Sequence, residues 1–181
     1  MTVNGKPKSH REWVLAALDQ FERRLTRYAA RLLRDEELAR DAVQHAFLRL
    51  CDKRPDELGD RLAPWLFTVC RNKALDMLRR NGRTEATAQH FEDSALGREL
   101  DPADSAELSD IHVGLRRLID ELPEGQREAI DLWLEGFTYR EVARITRRNE
   151  GSVRVVVHRV LVKLREHPWT RRLLEEETVT T

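Results

Sequence analysis

The chain is predicted to be all-α, with two small helical bundles joined by a flexible acidic linker. Three observations predict this. Apolar residues recur at steps of three and four over long stretches, the period that turns one side of an α-helix towards a core. No stretch sustains the apolar–polar alternation of a half-buried strand. Charge is segregated although the total cancels, with 32 Lys plus Arg against 32 Asp plus Glu in 181 residues. Arg61–Arg83 holds six basic residues against Asp76 alone, and Thr84–Asp110 holds eight acidic residues against Arg98 alone. The carboxyl-terminal third turns basic again until Glu175, Glu176 and Glu177. Two basic modules around an acidic spacer suit two separate contacts with a polyanion, although two ordinary domains and a solvated linker would give the same pattern.

Met1–Ser9 reads as a frayed arm. The first helix starts near His10, with Val14, Leu18, Phe21, Leu25, Tyr28 and Leu32 along its stripe. A second helix is predicted over Glu36–Cys51. Ala39, Val43, Ala46, Phe47 and Leu50 face inward, and Asp41, Gln44, His45, Leu48 and Arg49 lie opposite. Lys53–Asp60 contains Pro and Gly and reads as a loop. A third helix runs from about Ala63 to Arg80, with Pro64 in its first turn, where a missing N–H is tolerated. Leu66, Val69, Cys70, Met77 and Leu78 form its core side, and Asn81-Gly82 ends it. Trp65, in the same apolar run, is read as core rather than as a stacking platform. Residues 10–83 make the first domain. Residues 84–104, acidic, without a sustained period and containing Asp101-Pro102, make the linker.

The second domain, 105–170, opens with a helix near Ser105 whose stripe is Ile111, Leu115, Leu118, Ile119 and Leu122. Pro123 opens the next helix, Glu124–Glu135, and Gly136 closes it. Thr138 and Glu141 have the spacing of a capping box, ahead of a short apolar face of Val142 and Ile145. Thr146-Arg147-Arg148-Asn149 breaks that face, and Asn149 is a good N-cap for a helix beginning at Glu150. Val153, Val157, Val160 and Leu164 turn one side of this last helix inward, leaving Ser152, Arg154, Val155, His158 and Arg159 on the other. The β-branched run Val155–Val157 favours a strand locally, but the flanking period and the caps decide for helix. Arg171–Thr181 reads as a fraying end.

Two helices joined by a tight polar turn are the build of a helix-turn-helix, whose second helix enters a DNA major groove. Arg140–Arg172 carries ten Lys or Arg against three Asp or Glu, so the local field attracts phosphate. A solvated basic hairpin would carry the same charge. For DNA, Ser152, Arg154, Val155, His158 and Arg159 are the candidate base readers. Arg can donate two hydrogen bonds to a guanine edge, and a Val methyl can pack on thymine. Arg147, Arg148, Lys163 and Arg165 are candidates for phosphates, which position without specifying.

Other classes find little support. Cys51 and Cys70 form no CxxC, so no disulfide framework or zinc site follows; both read as small apolar residues in a reducing compartment. No apolar signal core or membrane-length run is present, and a cytoplasmic chain without membrane insertion is expected. The six histidines are scattered, with no HExxH, no glycine loop with a Lys and no GxSxG. Neither an enzyme, a cofactor nor a bound metal is expected.

Four segments in order carry a resemblance. RDAVQHAFLRL (Arg40–Leu50) is followed by APWLFTVCRNKALDMLRR (Ala63–Arg80), and LPEGQREAIDLWLEGFTYREVARI (Leu122–Ile145) runs into GSVRVVVHRVLVKLRE. Together they resemble the bacterial sigma factors of the small extracytoplasmic-function (ECF) type. The resemblance implies a promoter-melting σ2-like domain and an upstream-element σ4-like domain. It implies a protein without catalysis of its own, which docks on core RNA polymerase, directs it to promoters and helps open the duplex. Asp41, Gln44 and Leu48 match the family's surface for the polymerase clamp helices, with His45 where the family usually has a carboxylate. Arg71, Asn72, Asp76, Arg79 and Arg80 would capture splayed bases and the melted strand, and Lys53–Asp60 matches the loop that holds a flipped base. Across the helix-turn-helix turn the family usually has an apolar residue, a glycine and an apolar residue; here Thr146, Arg147 and Arg148 stand there. The implied partners are core RNA polymerase, promoter DNA as duplex and melted strand, and an anti-sigma factor. The alternative is a two-domain helix-turn-helix regulator that never joins polymerase. Such a regulator has no reason to contain the Arg40–Arg80 block.

Overall fold

The structure, a computed structural model, describes residues 9–80, 82 and 106–171, with side chains from residue 113 onward in the last segment. The expected linker and its boundaries, the amino-terminal arm before Ser9 and the end beyond Arg171 lie outside these residues. The described residues are helical and contain no strand, and the chain divides into two compact units.

The first unit is built from α1 (His10–Leu33), α2 (Glu36–Cys51), the single turn α3 (Pro55–Leu58) with a 3₁₀ turn over Gly59–Arg61, and α4 (Leu62–Arg80). Ser9 caps α1, its Oγ accepting from the Glu12 N–H at 3.2 Å. The chain reverses at once into α2: Arg34 takes a left-handed conformation (φ 54°), and Asp35 Oδ1 accepts from the N–H groups of Glu37 and Leu38 at 3.0 Å. α1, α2 and α4 pack on one another around Leu25, Leu33, Leu50, Leu66 and Phe67. Full burial of each such side chain contributes about 1.5–3 kcal/mol.

Burial departs from the predicted stripe in α1. Phe21, Leu25 and Tyr28 are buried as expected, but so are Trp13, Ala17, Ala29, Ala30 and Leu33, while Val14, Leu18 and Leu32 are half-buried. α2 likewise buries Ala39, Ala42 and Ala46. Small side chains let packed helices approach closely, so alanines occupy the tightest contacts and the large residues flank them. α4 buries Leu66, Phe67, Cys70 and Ala74, whereas Val69, Met77 and Leu78 are half-buried. The stretch read as a loop, Lys53–Asp60, winds into α3 and the 3₁₀ turn. Pro55 opens this turn, and Glu57 ties it down by accepting from Lys53 Nζ and the Arg54 N–H, both at 3.2 Å. Those bonds, Lys53 first, hold the Glu57 carboxyl below its usual range. Cys51 is exposed and not core; Cys70 is buried, and burial pushes its thiol up to about 12.

The second unit comprises α5 (Ala106–Asp120), α6 (Glu124–Leu134), α7 (Tyr139–Thr146) and α8 (Glu150–Glu166). α6 packs on α7 and α8, α7 on α8, and α5 on α6 and α8. The sequence pattern did not anticipate two buried carboxylates on α6, Glu128 and Asp131. Asp131 is matched by Arg116 of α5 at 2.5 Å, and Arg116 also holds Asp120. Burial alone would depress the guanidinium, and the bonds to the two carboxylates more than reverse it.

Arg116 therefore joins α5 to α6 through a buried carboxylate, Asp131, while Asp120 at the other side of the guanidinium remains half exposed. Arg116→Met is expected to destabilise the chain by about 2–3 kcal/mol, because Asp131 would be left buried without its partner. Arg116→Met with Asp131→Leu should recover most of that loss. Denaturant unfolding of both variants checks this, and equal destabilisation by single and double variants would contradict it.

Candidate nucleic-acid interface

The turn between α7 and α8 is set by its caps. Thr138 and Glu141 close a capping box: the Thr138 N–H donates to Glu141 Oε2 at 2.9 Å, and Thr138 Oγ1 accepts from the Glu141 N–H at 3.3 Å. Asn149 Oδ1 accepts from the Gly151 N–H at 2.8 Å and starts α8. Between them, Thr146 is buried, its hydroxyl donating to the Val142 carbonyl at 2.7 Å. That bond satisfies the one polar atom of the side chain and lets it occupy an apolar place. Arg147 takes the left-handed conformation, φ 57°, that a glycine would adopt more cheaply. Arg148 donates from Nη1 to the Gly125 carbonyl at 2.6 Å, bracing the turn against the start of α6. Part of its donor fork is thus withdrawn from any phosphate, while Arg147 is exposed.

α8 buries Val153, Val157, Val160 and Leu164. At 100° per residue, Ser152, Val155, His158 and Arg159 fall on the opposite side, with Arg154 at its edge. All five are exposed, as are Lys163 and Arg165. The helix needs no correction for its valine run: Val157 is buried, Val156 half-buried and Val155 46% exposed. Arg154 carries two contacts that the sequence did not disclose. Its guanidinium lies 5.2 Å from the centre of the Tyr139 ring, and Nη2 is 3.4 Å from a Glu150 carboxylate oxygen.

In the first unit, Asp41, Gln44 and Leu48 are exposed on one side of α2, at spacings of three and four, with Leu48 61% exposed. His45 beside them is half-buried. Burial first, then Lys73 and Arg49, lower its pKa below the ordinary value, with Asp76 opposing. α2 packs on α4, and two of the charges that act on His45, Lys73 and Asp76, come from the second half of α4. On α4, Asn72, Asp76, Arg79 and Arg80 share the side away from Leu66, Phe67, Cys70 and Ala74; Arg71 lies nearer the buried side and is half-buried. Arg79 pairs with Asp76. Trp65 corrects the reading as core. It is half-buried, and, standing two turns before Asn72, it falls on the outer side with Asn72 and Asp76.

Among the described residues, no group of three His, Cys, Asp or Glu side chains could hold a metal ion, and no helix is long and apolar enough to cross a membrane.

Comparison with known proteins identifies both units. Residues 17–84 match the family model of sigma-70 region 2, and residues 112–164 that of sigma-70 region 4. The chain belongs to the sigma-70 family of RNA polymerase sigma factors. It is similar to the RNA polymerase sigma factor CarQ of Myxococcus xanthus, at 34% identity over 83% of this chain and 90% of that protein. It is also similar to the ECF RNA polymerase sigma factor SigM of Bacillus subtilis, at 26% identity over 77% of this chain and 85% of SigM. Among solved structures, the sigma factor RpoE in complex with the anti-sigma factor NepR from Bartonella quintana matches with a TM-score of 0.62 and 27% identity, covering 86% of this chain and 94% of that one. The chain is thus an ECF sigma factor, a subunit that directs RNA polymerase to promoters. The region 2 match decides against a regulator that never joins polymerase.

Two expectations follow from this sigma factor's departures. Arg147→Gly should stabilise it by about 1 kcal/mol by relieving the left-handed strain. The same change should weaken promoter-duplex binding, with a salt slope lowered by about one if Arg147 meets a phosphate. Thermal unfolding and a salt titration read the two effects. For His45, the folded state binds fewer protons than the unfolded chain between the lowered value and about 6.5. Stability therefore rises with pH through that window, and it is lost as pH falls from about 6.5 through the lowered value. His45→Gln should lose less stability than wild type between about pH 7.5 and 5.5 in urea unfolding; parallel curves would contradict this.

Proposed function

We propose that the two units of this sigma factor divide initiation between them, residues 10–83 docking on core polymerase and capturing the melted strand, residues 105–170 reading the upstream promoter element. The observation that carries the reading is the outer side of α2. There a 61% exposed leucine, Leu48, stands beside Asp41 and Gln44 on a helix whose opposite side is fully buried. An apolar anchor flanked by an acid and an amide suits a specific contact with a basic helical partner. On α4, Asn72, Asp76, Arg79 and Arg80, with Arg71 alongside, offer hydrogen bonds and charge for unstacked bases and a single-stranded backbone. Trp65, on the same side, adds an aromatic surface. On α8, Ser152, Arg154, Val155, His158 and Arg159 read base edges, while Arg147, Lys163 and Arg165, and Arg148 with its remaining donors, meet phosphates.

The protein acts as a non-enzymatic subunit in the cytoplasm, where polymerase works. An anti-sigma partner is proposed on the likeness to RpoE, whose solved structure contains NepR. Transcription by purified core polymerase on a library of genomic promoter fragments, with and without the protein, tests the proposal. Discrete start sites that appear only with the protein are expected; their absence, with duplex binding retained, would overturn it.

The roles separate by mutation. Arg154→Ala should weaken upstream-element binding by about 1–3 kcal/mol and leave polymerase docking intact. Asp41→Arg should weaken docking about tenfold or more, by setting like charges together, and leave duplex binding intact. Equilibrium binding to core polymerase and to promoter duplex distinguishes the two, and unchanged docking of Asp41→Arg would show that another side of the unit meets polymerase.

A further inference from the structure

We propose that Tyr139 is a positioning residue for promoter recognition: its ring holds the Arg154 guanidinium ready at the edge of α8, so that Arg154 meets its base pair pre-ordered. The inference rests on the reading of Arg154 as a base reader and adds to it a residue outside the recognition helix. Tyr139 is the first residue of α7, and the guanidinium carbon of Arg154 lies 5.2 Å from the centre of its ring. That is within the range of a cation–π contact. The contact joins the start of α7 to the first turns of α8.

The side chain is held without being covered. Arg154 remains 64% exposed, so its donors stay available to a groove. A free arginine loses several rotatable bonds' worth of freedom on docking against a guanine edge, and one already held by a ring loses less. Glu150, one turn before Arg154 on α8, gives a second support at 3.4 Å. The two supports respond differently to DNA. The phosphate field repels the Glu150 carboxylate and competes for the arginine, whereas the uncharged ring suffers no such repulsion. Tyr139 is therefore the support that persists in the complex. It is half-buried, anchored by the helix start that the Thr138–Glu141 capping box fixes, so the position of the ring is set by α7 and not by α8.

The test uses holoenzyme assembled from core polymerase and the full chain. The probes are the duplex that wild-type holoenzyme selects from a random pool and its single base-pair variants across the upstream element. Arg154→Ala should flatten discrimination at one base pair by about 5- to 150-fold. Tyr139→Leu, which keeps apolar bulk but removes the ring, should lower discrimination at that same pair by about 2- to 5-fold and leave other pairs unchanged. Tyr139→Phe should behave as wild type, and Tyr139→Leu with Arg154→Ala should be no worse than Arg154→Ala alone. Full discrimination by Tyr139→Leu while Arg154→Ala flattens the pair would overturn the positioning role and leave Arg154 as reader. Equal losses in Tyr139→Phe and Tyr139→Leu would overturn it too, by assigning the effect to the hydroxyl. A uniform loss at every pair would overturn it in favour of a phosphate contact or a folding defect. No flattening in Arg154→Ala would remove the base reader, and this inference with it.

Discussion

Burial of a narrow strip on one side of each helix positions everything the sigma factor presents on the other side. In α8, Val153, Val157, Val160 and Leu164 are held against the rest of the second unit, and the phase of the helix then dictates that Ser152, Val155, His158 and Arg159 look outward. In α2 the same relation links Ala39, Val43, Ala46 and Leu50 to Asp41, Gln44 and Leu48. A slip of one residue in either packing would rotate the outer set by 100° and disperse it. The proposed recognition sides thus depend on apolar packing on the opposite sides of the same helices.

This dependence explains how much was legible in the sequence. Helix class, caps and outward sets follow from short-range periodicity and from residues such as Asp35, Thr138 and Asn149, whose side chains bond their own local backbone. The residues misjudged are those whose fate depends on distant neighbours. Ala17, Ala29 and Ala30 lie deeper than the larger Val14, Leu18 and Leu32 because neighbouring helices approach closely at small side chains. Asp131 is buried because Arg116, fifteen residues away, neutralises it. Trp65 is apolar in composition but outward in phase, and counting turns from Asn72 would have placed it correctly. Tyr139 could not be paired with Arg154 from spacing alone, since they belong to different helices.

The turn of the helix-turn-helix accommodates three unusual residues by three separate means. Thr146 hides its hydroxyl in a backbone bond, Arg147 accepts a strained backbone, and Arg148 binds the Gly125 carbonyl. The two arginines bring positive charge to the turn before α8, and the buried threonine keeps the core beneath it closed. At His45, burial first, then Lys73 and Arg49, hold the pKa below its ordinary value on the side of α2 that carries Asp41 and Gln44.

In the proposed initiation complex, two outward helix sides in separate units meet different partners. Site-specific photocrosslinking tests it most directly, with a crosslinking residue placed at Gln44 in one variant and at Val155 in another, each assembled with core polymerase on a promoter fragment. The probe at Gln44 should capture polymerase protein, and the probe at Val155 should capture promoter duplex upstream of the start site. Capture of DNA by the first, or of polymerase alone by the second, would contradict it.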